Sequence, residues 1–450
     1  MINNELKVSE TKYNNLCNIF LLVAYSMLTL FCSWKHEMWF DEAEAWAIVK
    51  YNDMTELFEV LKSEGHPILW YLIIKLAVFF NIKAEFMPFI GCMFSIATVI
   101  LVLWKSPFNI RMKIIILFSS GMIYYNTVMS RVYCLIPLLL CLLAYIYPVR
   151  KERPLLYGII VALLTNTHIF MFGLIASLGI YMIIDLITDW RANSANRNFF
   201  NIMGLGIAGI GVIVLIVAMF GSMQSNSIIA GNPRSFIDVI ENIFLTFYRI
   251  GVDVTIPFDT IILPEIMTIV FCTAIILMIF FARNCGRTFI FLWSYILGYF
   301  FVCGVIWRTN PNRSSVFLFI FVFCLWIAHD DCCFKKKVDF SKVKTDSRLI
   351  GHILKYLETL DLKALRVYER VLSFLLCLTI PAGIALCYVD ITDDFSPERR
   401  AISFIKDNYT PEDTVIVSYL DMFPQISLYA SEYKSYSLSR IIHQSSECRK

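Results

Sequence analysis

The chain has 450 residues, of which 58% are apolar and only 17% charged, and its formal net charge is +3. That composition excludes an ordinary soluble globular domain, and so small a net charge carries no electrostatic footprint for nucleic acid. Apolar runs of about 17 to 23 residues recur along the chain, each long enough to cross a hydrocarbon core of about 30 Å as a helix. The expected fold is therefore an all-α polytopic membrane protein, since runs this uniform do not suit the alternating strands of a barrel.

Residues 1–15 mix acids and bases, and no small-residue cleavage pattern follows the first apolar run. With only Lys7 and Lys12 as a basic region, that run is expected to stay as a span. In chain order the candidate spans are Leu16–Trp34, Phe86–Trp104, Ile114–Tyr125, Val132–Tyr147, Leu155–His168, Phe172–Ile187, Phe199–Phe220, Ile261–Phe281, Phe289–Ile306, Val316–Ala328 and Val371–Tyr388. Sidedness follows from lysine and arginine in the short loops. Lys105, Arg111 and Lys113, then Arg150, Lys151 and Arg153, then Arg191 with Arg197 and Arg283 with Arg287, all fall on one side. The lysine-rich loop 329–369 joins them, so the N-terminus is expected in the cytoplasm and the C-terminus outside.

Segment Pro67–Phe80 complicates this count. It is apolar enough to enter the membrane, yet a full crossing would move every later basic loop to the outer side. Either it lies at the interface or forms a partial span, or another run does not cross. The expectation is about 11–13 transmembrane helices within residues 1–389, with an outer first loop at 35–66.

After the last span, Ser396 is placed to cap a helix opened by Pro397 and Glu398, Pro411-Glu412-Asp413 reads as a turn, and Thr414–Tyr419 as a β-branched strand. Residues 390–450 thus form a small extracytoplasmic α/β appendage. The 14 cysteines lie scattered through apolar runs, as at Cys92, Cys134, Cys141, Cys272 and Cys324, and read as small core residues. Cys332-Cys333 is an incidental pair beside a basic loop. Asn312-Arg313-Ser314 and Asn408-Tyr409-Thr410 have the glycosylation pattern, which short sequences match by chance. No internal repeat is visible.

The chemistry concentrates in the first outer loop, which carries Glu37, Asp41, Glu42, Glu44, Asp53, Glu56, Glu59 and Glu64. Asp41 and Glu44 have the spacing of a capping box, with the helix behind them resting on the membrane and Trp39, Trp46 and Tyr51 at headgroup level. The same Asp41 stands where a carboxylate could take a proton from a hydroxyl at the water–lipid boundary. The two readings are compatible. Further on, Arg131 opens an apolar run, where it either snorkels to lipid phosphate or grips a bound phosphate with its planar fork. His168 is either a hydrogen-bonded core histidine or a cavity residue. His66 sits between Gly65, which permits a sharp turn, and Pro67, which fixes the chain behind it. Arg308 and Arg313 flank a turn on the outer side, where they meet headgroups or add to an anion site. His66, Glu64, Asp41 and Glu42 are also candidates for a divalent metal, although no metal-specific spacing is present.

"WFDEAEAW" followed by "GHPILWYLIIKL" resembles the first outer loop of the GT-C membrane glycosyltransferases, in the branch of the protein mannosyltransferases, the aminoarabinose transferase and the lipopolysaccharide core transferases. Asp41-Glu42 and His66-Pro67 match that pattern. "SRVYCLIPLLL" resembles the group's arginine–tyrosine segment at Arg131 and Tyr133, "TNTHIFMF" its histidine–aromatic segment at His168, and "NPNRSSVFLFIF" its late arginine turn. Ser130 and Val132 replace the usual Ala and Pro, and the outer domain is shorter than in the larger relatives.

The resemblance implies an inverting glycosyltransferase of the plasma membrane that moves a sugar from a polyprenyl-phosphate donor to a hydroxyl on a glycan, lipid or protein acceptor outside. It implies Asp41 as base, Glu42 as its partner, and His66, Arg131, Tyr133, His168, Arg308 and Arg313 as substrate or phosphate contacts; a divalent ion serves some relatives and not others. Two rivals follow from other classes. A transporter or flippase would carry ionisable residues at mid-membrane, whereas here they gather at span ends. A non-catalytic cell-envelope assembly protein would use the acidic loop only as an interfacial helix.

Overall fold

The computed structural model describes residues 2–64, 66–191, 195–225, 235–255, 263–306, 309, 311–334, 356, 361–392, 397–418 and 423–437. It is mostly helical, and nine helices among the described residues are long and apolar enough to cross a membrane, so the chain is a multi-pass integral membrane protein. In order the main helices are α1 (Ile2–Lys35), α2 (Phe40–Tyr51), α3 (Met54–Glu64), α4 (Leu69–Phe79), α5 (Met87–Lys105), α6 (Ile110–Phe118), α7 (Leu135–Ile146), α8 (Pro154–Thr165), α9 (Phe172–Arg191), α10 (Ala195–Ser225), α11 (Phe236–Thr255), α12 (Leu263–Ala282), α13 (Gly286–Val305), α14 (Pro311–Phe334) and α15 (Leu362–Thr392). The appendage adds α16 (Pro397–Asn408), β1 (Val415–Ser418), α17 (Phe423–Tyr429) and β2 (Lys434–Ser437).

Helix α14 is the axis of the bundle. Its residues from Ser314 to Ala328 are all buried, as expected for a helix that is apolar on every face. Phe317 and Phe321 pack among Tyr295, Tyr299 and Tyr368, and the Tyr368 hydroxyl donates to the Phe321 carbonyl at 3.0 Å. The N-terminus of α14, with Arg313, therefore opens at the centre of one end of the bundle.

Between α6 and α7 the chain leaves regular α-helix. A five-residue π-turn, Gly121–Tyr125, is followed by irregular backbone as far as Arg131. Such backbone is tolerated in a membrane protein only where other groups take up its hydrogen bonds. Here the Tyr25 hydroxyl donates to the Met122 carbonyl, Ser95 Oγ to the Asn126 carbonyl at 2.6 Å, and the Ser120 N–H to Thr379 Oγ1 at 3.2 Å. Gly91 lets α5 close on this segment: a Cβ there would stand 2.6 Å from Ser130 Oγ and 2.9 Å from the Thr127 carbonyl oxygen. The segment is thereby held from all sides and delivers Ser130 and Arg131 to the same end as Arg313.

Several sequence expectations are corrected. Segment 67–80 contains the 11-residue α4, about 16 Å long and, like the 12-residue α8, shorter than the roughly 30 Å hydrocarbon core. Lys75 Nζ ties α4 to α2 by donating to the carbonyls of Val49 (3.1 Å) and Asn52 (2.5 Å). The chain then turns through Asn81, at φ 55°, a left-handed conformation that asparagine tolerates. The loop 35–66 is organised into α2 and α3, and between the candidate spans Phe199–Phe220 and Ile261–Phe281 lies a further helix, α11. Of the three aromatic residues expected at headgroup level, Trp46 is buried inside the protein, 2% exposed, while Trp39 and Tyr51 are exposed. At the loop 329–369, α14 continues to Phe334 and α15 begins at Leu362.

The appendage holds one strand more than expected. β1 and β2 pair in parallel, Val415 opposite Lys434 through Ser418 opposite Ser437, with α17 as the crossover. Ile402, Ile416, Ile426, Ala430 and Tyr433 form its small core. α17 also packs on α2, so the appendage rests on the helix that carries Asp41.

Candidate functional site

The site grows from the start of α2. Trp39 precedes the helix in extended conformation, and the carboxylate of Glu42 reaches back to accept from the Trp39 N–H at 2.8 Å. Glu42, three residues into the turn, thus satisfies a free helix-end donor. The expected Asp41–Glu44 cap is shifted by two residues, because the helix starts at Phe40 and not after Asp41. This leaves Asp41 in the first turn with its carboxylate turned outward, 32% of the side chain exposed, and ion-paired with Arg131.

Glu42 is wholly buried. Besides Trp39, it accepts from the Ser130 N–H at 2.5 Å and from His36 Nε2 at 2.9 Å. His36 Nδ1 in turn donates to Asp390, at the end of α15, at 2.9 Å. Burial alone would favour the neutral imidazole, but Glu42 and Asp390 overcome it and raise the His36 pKa to about 10, so the ring is an imidazolium. The chain Asp390–His36–Glu42–Ser130 locks together α15, the end of α1, the start of α2 and the irregular segment. Glu42 accordingly supports its neighbours, whereas Asp41 faces outward. Sequence reasoning missed His36 and Asp390. Asp390 follows the last apolar run and stands beside Asp393 and Asp394, so it looks like an ordinary acid at a span end.

Arg131 stands at the head of a short 3₁₀ turn, Val132–Cys134. Next to it Tyr133 is 2% exposed, and its hydroxyl oxygen accepts from Arg313 Nε at 3.2 Å. His168, at the corner between α8 and α9, accepts the Phe170 N–H on Nδ1 at 3.3 Å. Its ring proton therefore sits on Nε2, which donates to the Tyr133 hydroxyl over 3.4 Å. The Tyr133 and His168 rings stack at 5.4 Å, the His66 and His168 centroids are 5.9 Å apart, and the Arg313 guanidinium lies 5.3 Å from the Phe170 ring centre. Burial, then Arg131 and Arg313, lower the His66 pKa to about 3. Burial, with Arg313, His66 and Arg131 in that order, holds His168 well below its ordinary value. Both imidazoles are held neutral first by their burial and then by the two guanidiniums beside them.

Asp41, His66, Arg131, Tyr133, His168 and Arg313 thus come together from five separate stretches of chain. Arg308 and Gly65 fall outside the described residues. Asp253, near the end of α11, borders the cluster unpredicted: its carboxylate accepts from Ser314 Oγ at 3.3 Å, and its carbonyl from the Tyr125 hydroxyl at 2.9 Å. Burial raises its pKa to about 6, against the pull of Arg249 and Ser314. An apolar cleft of about 440 Å³ between α8, α9 and α10 runs beside the His168 corner, lined by Val161, Thr165, Phe172, Ile175, Leu205 and Val212 among others.

The donor set does not favour the metal considered above. Among the described residues no three His, Cys, Asp or Glu side chains converge as a metal site. Glu42 is taken up by His36 and two backbone N–H groups, and Asp41 faces Arg131; the Glu64 side chain lies outside the described residues. What the cluster offers is two guanidiniums, neutral ring donors and one outward carboxylate, a set suited to an anion beside a proton acceptor. No protein-family model matches the chain, and no curated protein matches it.

Proposed function

We propose that the protein is an inverting, GT-C-like glycosyltransferase that takes a sugar from a polyprenyl-phosphate donor and gives it to an acceptor hydroxyl on the extracytoplasmic face of the plasma membrane. The observation that carries this reading is the gathering of Asp41 with Arg131 and Arg313 around two neutral histidines at one end of the bundle. In this reading the nine long helices, the shorter α8 and the α6–π-turn segment make eleven crossings. The basic loops at 105–113, 150–153 and 283–287 then lie in the cytoplasm, and the cluster outside.

The acceptor hydroxyl passes its proton to Asp41 as its oxygen attacks the anomeric carbon. The bond from that carbon to the phosphate oxygen breaks, and the electron pair leaves with the lipid phosphate. Arg131 and Arg313 neutralise the charge that grows on the leaving group. Tyr133, which receives hydrogen bonds from Arg313 and His168, offers its own hydrogen to a substrate oxygen. The prenyl chain follows the apolar cleft beside His168. Sugar, lipid length and acceptor class are the variables that the test addresses.

Cells carrying the parent protein or Asp41→Ala are compared for glycolipid and glycoprotein profiles. A sugar missing from one class with Asp41→Ala names donor and acceptor together. Identical profiles, with equal amounts of protein in the membrane, would exclude the transferase reading in favour of a non-catalytic envelope protein.

A further inference from the structure

The reading above gives Asp41 and Arg131 separate tasks, one taking a proton and the other gripping phosphate. In the structure the two are ion-paired with each other. We propose that this ion pair is a lock which the donor's phosphate opens: the phosphate takes the Arg131 guanidinium and sets Asp41 free to act as base. The inference rests on the transferase reading and adds an order of events to it.

Four features support it. First, the pair is lopsided in exposure, with 32% of the Asp41 side chain reachable and only 11% of the Arg131 side chain. Asp41 is the partner that can swing away, while Arg131 stays fixed among Tyr71, Tyr133 and the neutral histidines. Second, leaving Arg131 costs Asp41 little: it sits in the first turn of α2, where the helix's unpaired N–H groups favour a carboxylate. Third, the backbone need not move, because Glu42 anchors this turn to His36, Ser130 and Trp39. Fourth, a phosphate satisfies the planar fork of Arg131 at least as well as a carboxylate does, and it also meets Arg313, held 3.2 Å from the Tyr133 hydroxyl.

The consequence is ordered use of the site. Without donor, the base is masked. With donor, the carboxylate is released next to the anomeric carbon, so a hydroxyl is activated only when there is a sugar to receive it.

The test measures binding of sugar-free polyprenyl phosphate to the full chain in zwitterionic nanodiscs. Asp41→Asn removes the competitor for Arg131, and the probe is expected to bind about tenfold more tightly, which corresponds to about 1.4 kcal/mol. Arg131→Gln is expected to weaken binding, and Asp41→Asn added to Arg131→Gln to gain nothing further, as coupling between the two requires. Inorganic phosphate, run as a second probe, is expected to show the same tightening in a higher concentration range. Unchanged or weaker binding by Asp41→Asn, with Arg131→Gln still impaired, would overturn the lock and leave the phosphate clamp standing. No binding of either probe by the parent and both variants would overturn lock and clamp together.

Discussion

His36 and Glu42 meet at 2.9 Å with both side chains shut off from solvent, and Asp390 closes the far side of the same imidazole. This buried chain holds the first turn of α2 to the ends of α1 and α15. Its removal should therefore be felt in stability. Removing Glu42 takes away the acceptor shared by His36 Nε2 and the Ser130 and Trp39 N–H groups, and a buried donor that loses its acceptor typically costs about 1–3 kcal/mol. Glu42→Ala is expected to lower the thermal unfolding midpoint of the purified protein well beyond the effect of Glu44→Ala in the next turn. Equal midpoints for the two variants would remove the clamp assigned to Glu42.

The same imidazolium gives a pH dependence of definite sign. Folding raises the His36 pKa from 6.5 to about 10, so the folded state holds its proton more tightly than the unfolded chain. The stabilisation is complete below about pH 6.5 and is lost as pH climbs through about 10. Midpoints measured between pH 6 and 10.5 should fall more steeply for the parent than for His36→Gln, and their difference isolates this ring from the other groups titrating in that range. Parallel curves would show that His36 is not held protonated.

Asp41 carries the proposed chemistry without carrying the fold. It is partly exposed, it does not cap α2, and the neighbouring Glu42 holds the turn. Asp41→Asn keeps a side-chain oxygen for Arg131, and because the Asp41 side of the pair is partly exposed the loss of stability is expected to stay below the roughly 3–5 kcal/mol of breaking a fully buried pair. Turnover should fall by at least about a hundredfold, the lower range for loss of a general base. Single-turnover transfer assays with saturating donor check this. Transfer at the parent rate would show that another group accepts the proton.

How much of this was legible from the sequence depends on the distance over which each feature is encoded. Spans are local, so their apolar runs stand out, but which span becomes the buried axis does not: α14 is enclosed, whereas α10 and α12, no less apolar, are mostly exposed on the outside of the bundle. Asp41, Arg131, Tyr133, His168 and Arg313 each sit at the edge of an apolar run, where a charge or a polar ring is conspicuous. The His36–Asp390 bridge joins residues 354 positions apart, and nothing near either one announces the other. The shift of the cap from Asp41–Glu44 to Trp39–Glu42 was hidden for a different reason. Capping patterns tolerate a displaced register, and the Ser130 N–H and His36, which come from elsewhere in the chain, decide which acid turns inward. α4 was ambiguous because hydropathy measures apolarity, whereas its path is set by length and by the tie from Lys75 to α2.

Tyr133 joins the two halves of the cluster, receiving Arg313 on one side and His168 on the other. Tyr133→Phe keeps the ring stacked on His168 but leaves two donors facing hydrocarbon. A buried donor stripped of its partner costs about 1–3 kcal/mol. The variant is expected to lose stability in that range and to raise the apparent KM for donor more than it lowers kcat, since Arg313 loses the contact that aims it. A kcat loss with unchanged KM would mean that the hydroxyl acts in the transition state and not in placing Arg313.

Asp253 should behave in the opposite sense to His36. Burial raises its carboxyl pKa from 3.8 to about 6, so the folded state prefers the proton and ionisation works against folding. Below about pH 3.8 the carboxyl is protonated in both states and adds no cost. Between about 3.8 and 6 the unfolded chain releases the proton first, and stability declines; above about 6 the full cost is present. Asp253→Asn keeps an oxygen for the Ser314 hydroxyl at the same position and cannot ionise. It is therefore expected to raise the unfolding midpoint at pH 8 and to change it less at pH 4.5. A variant that destabilises the protein equally at both pH values would show that the Asp253 carboxylate is held charged, and would return it to the list of candidate anion partners for Arg249.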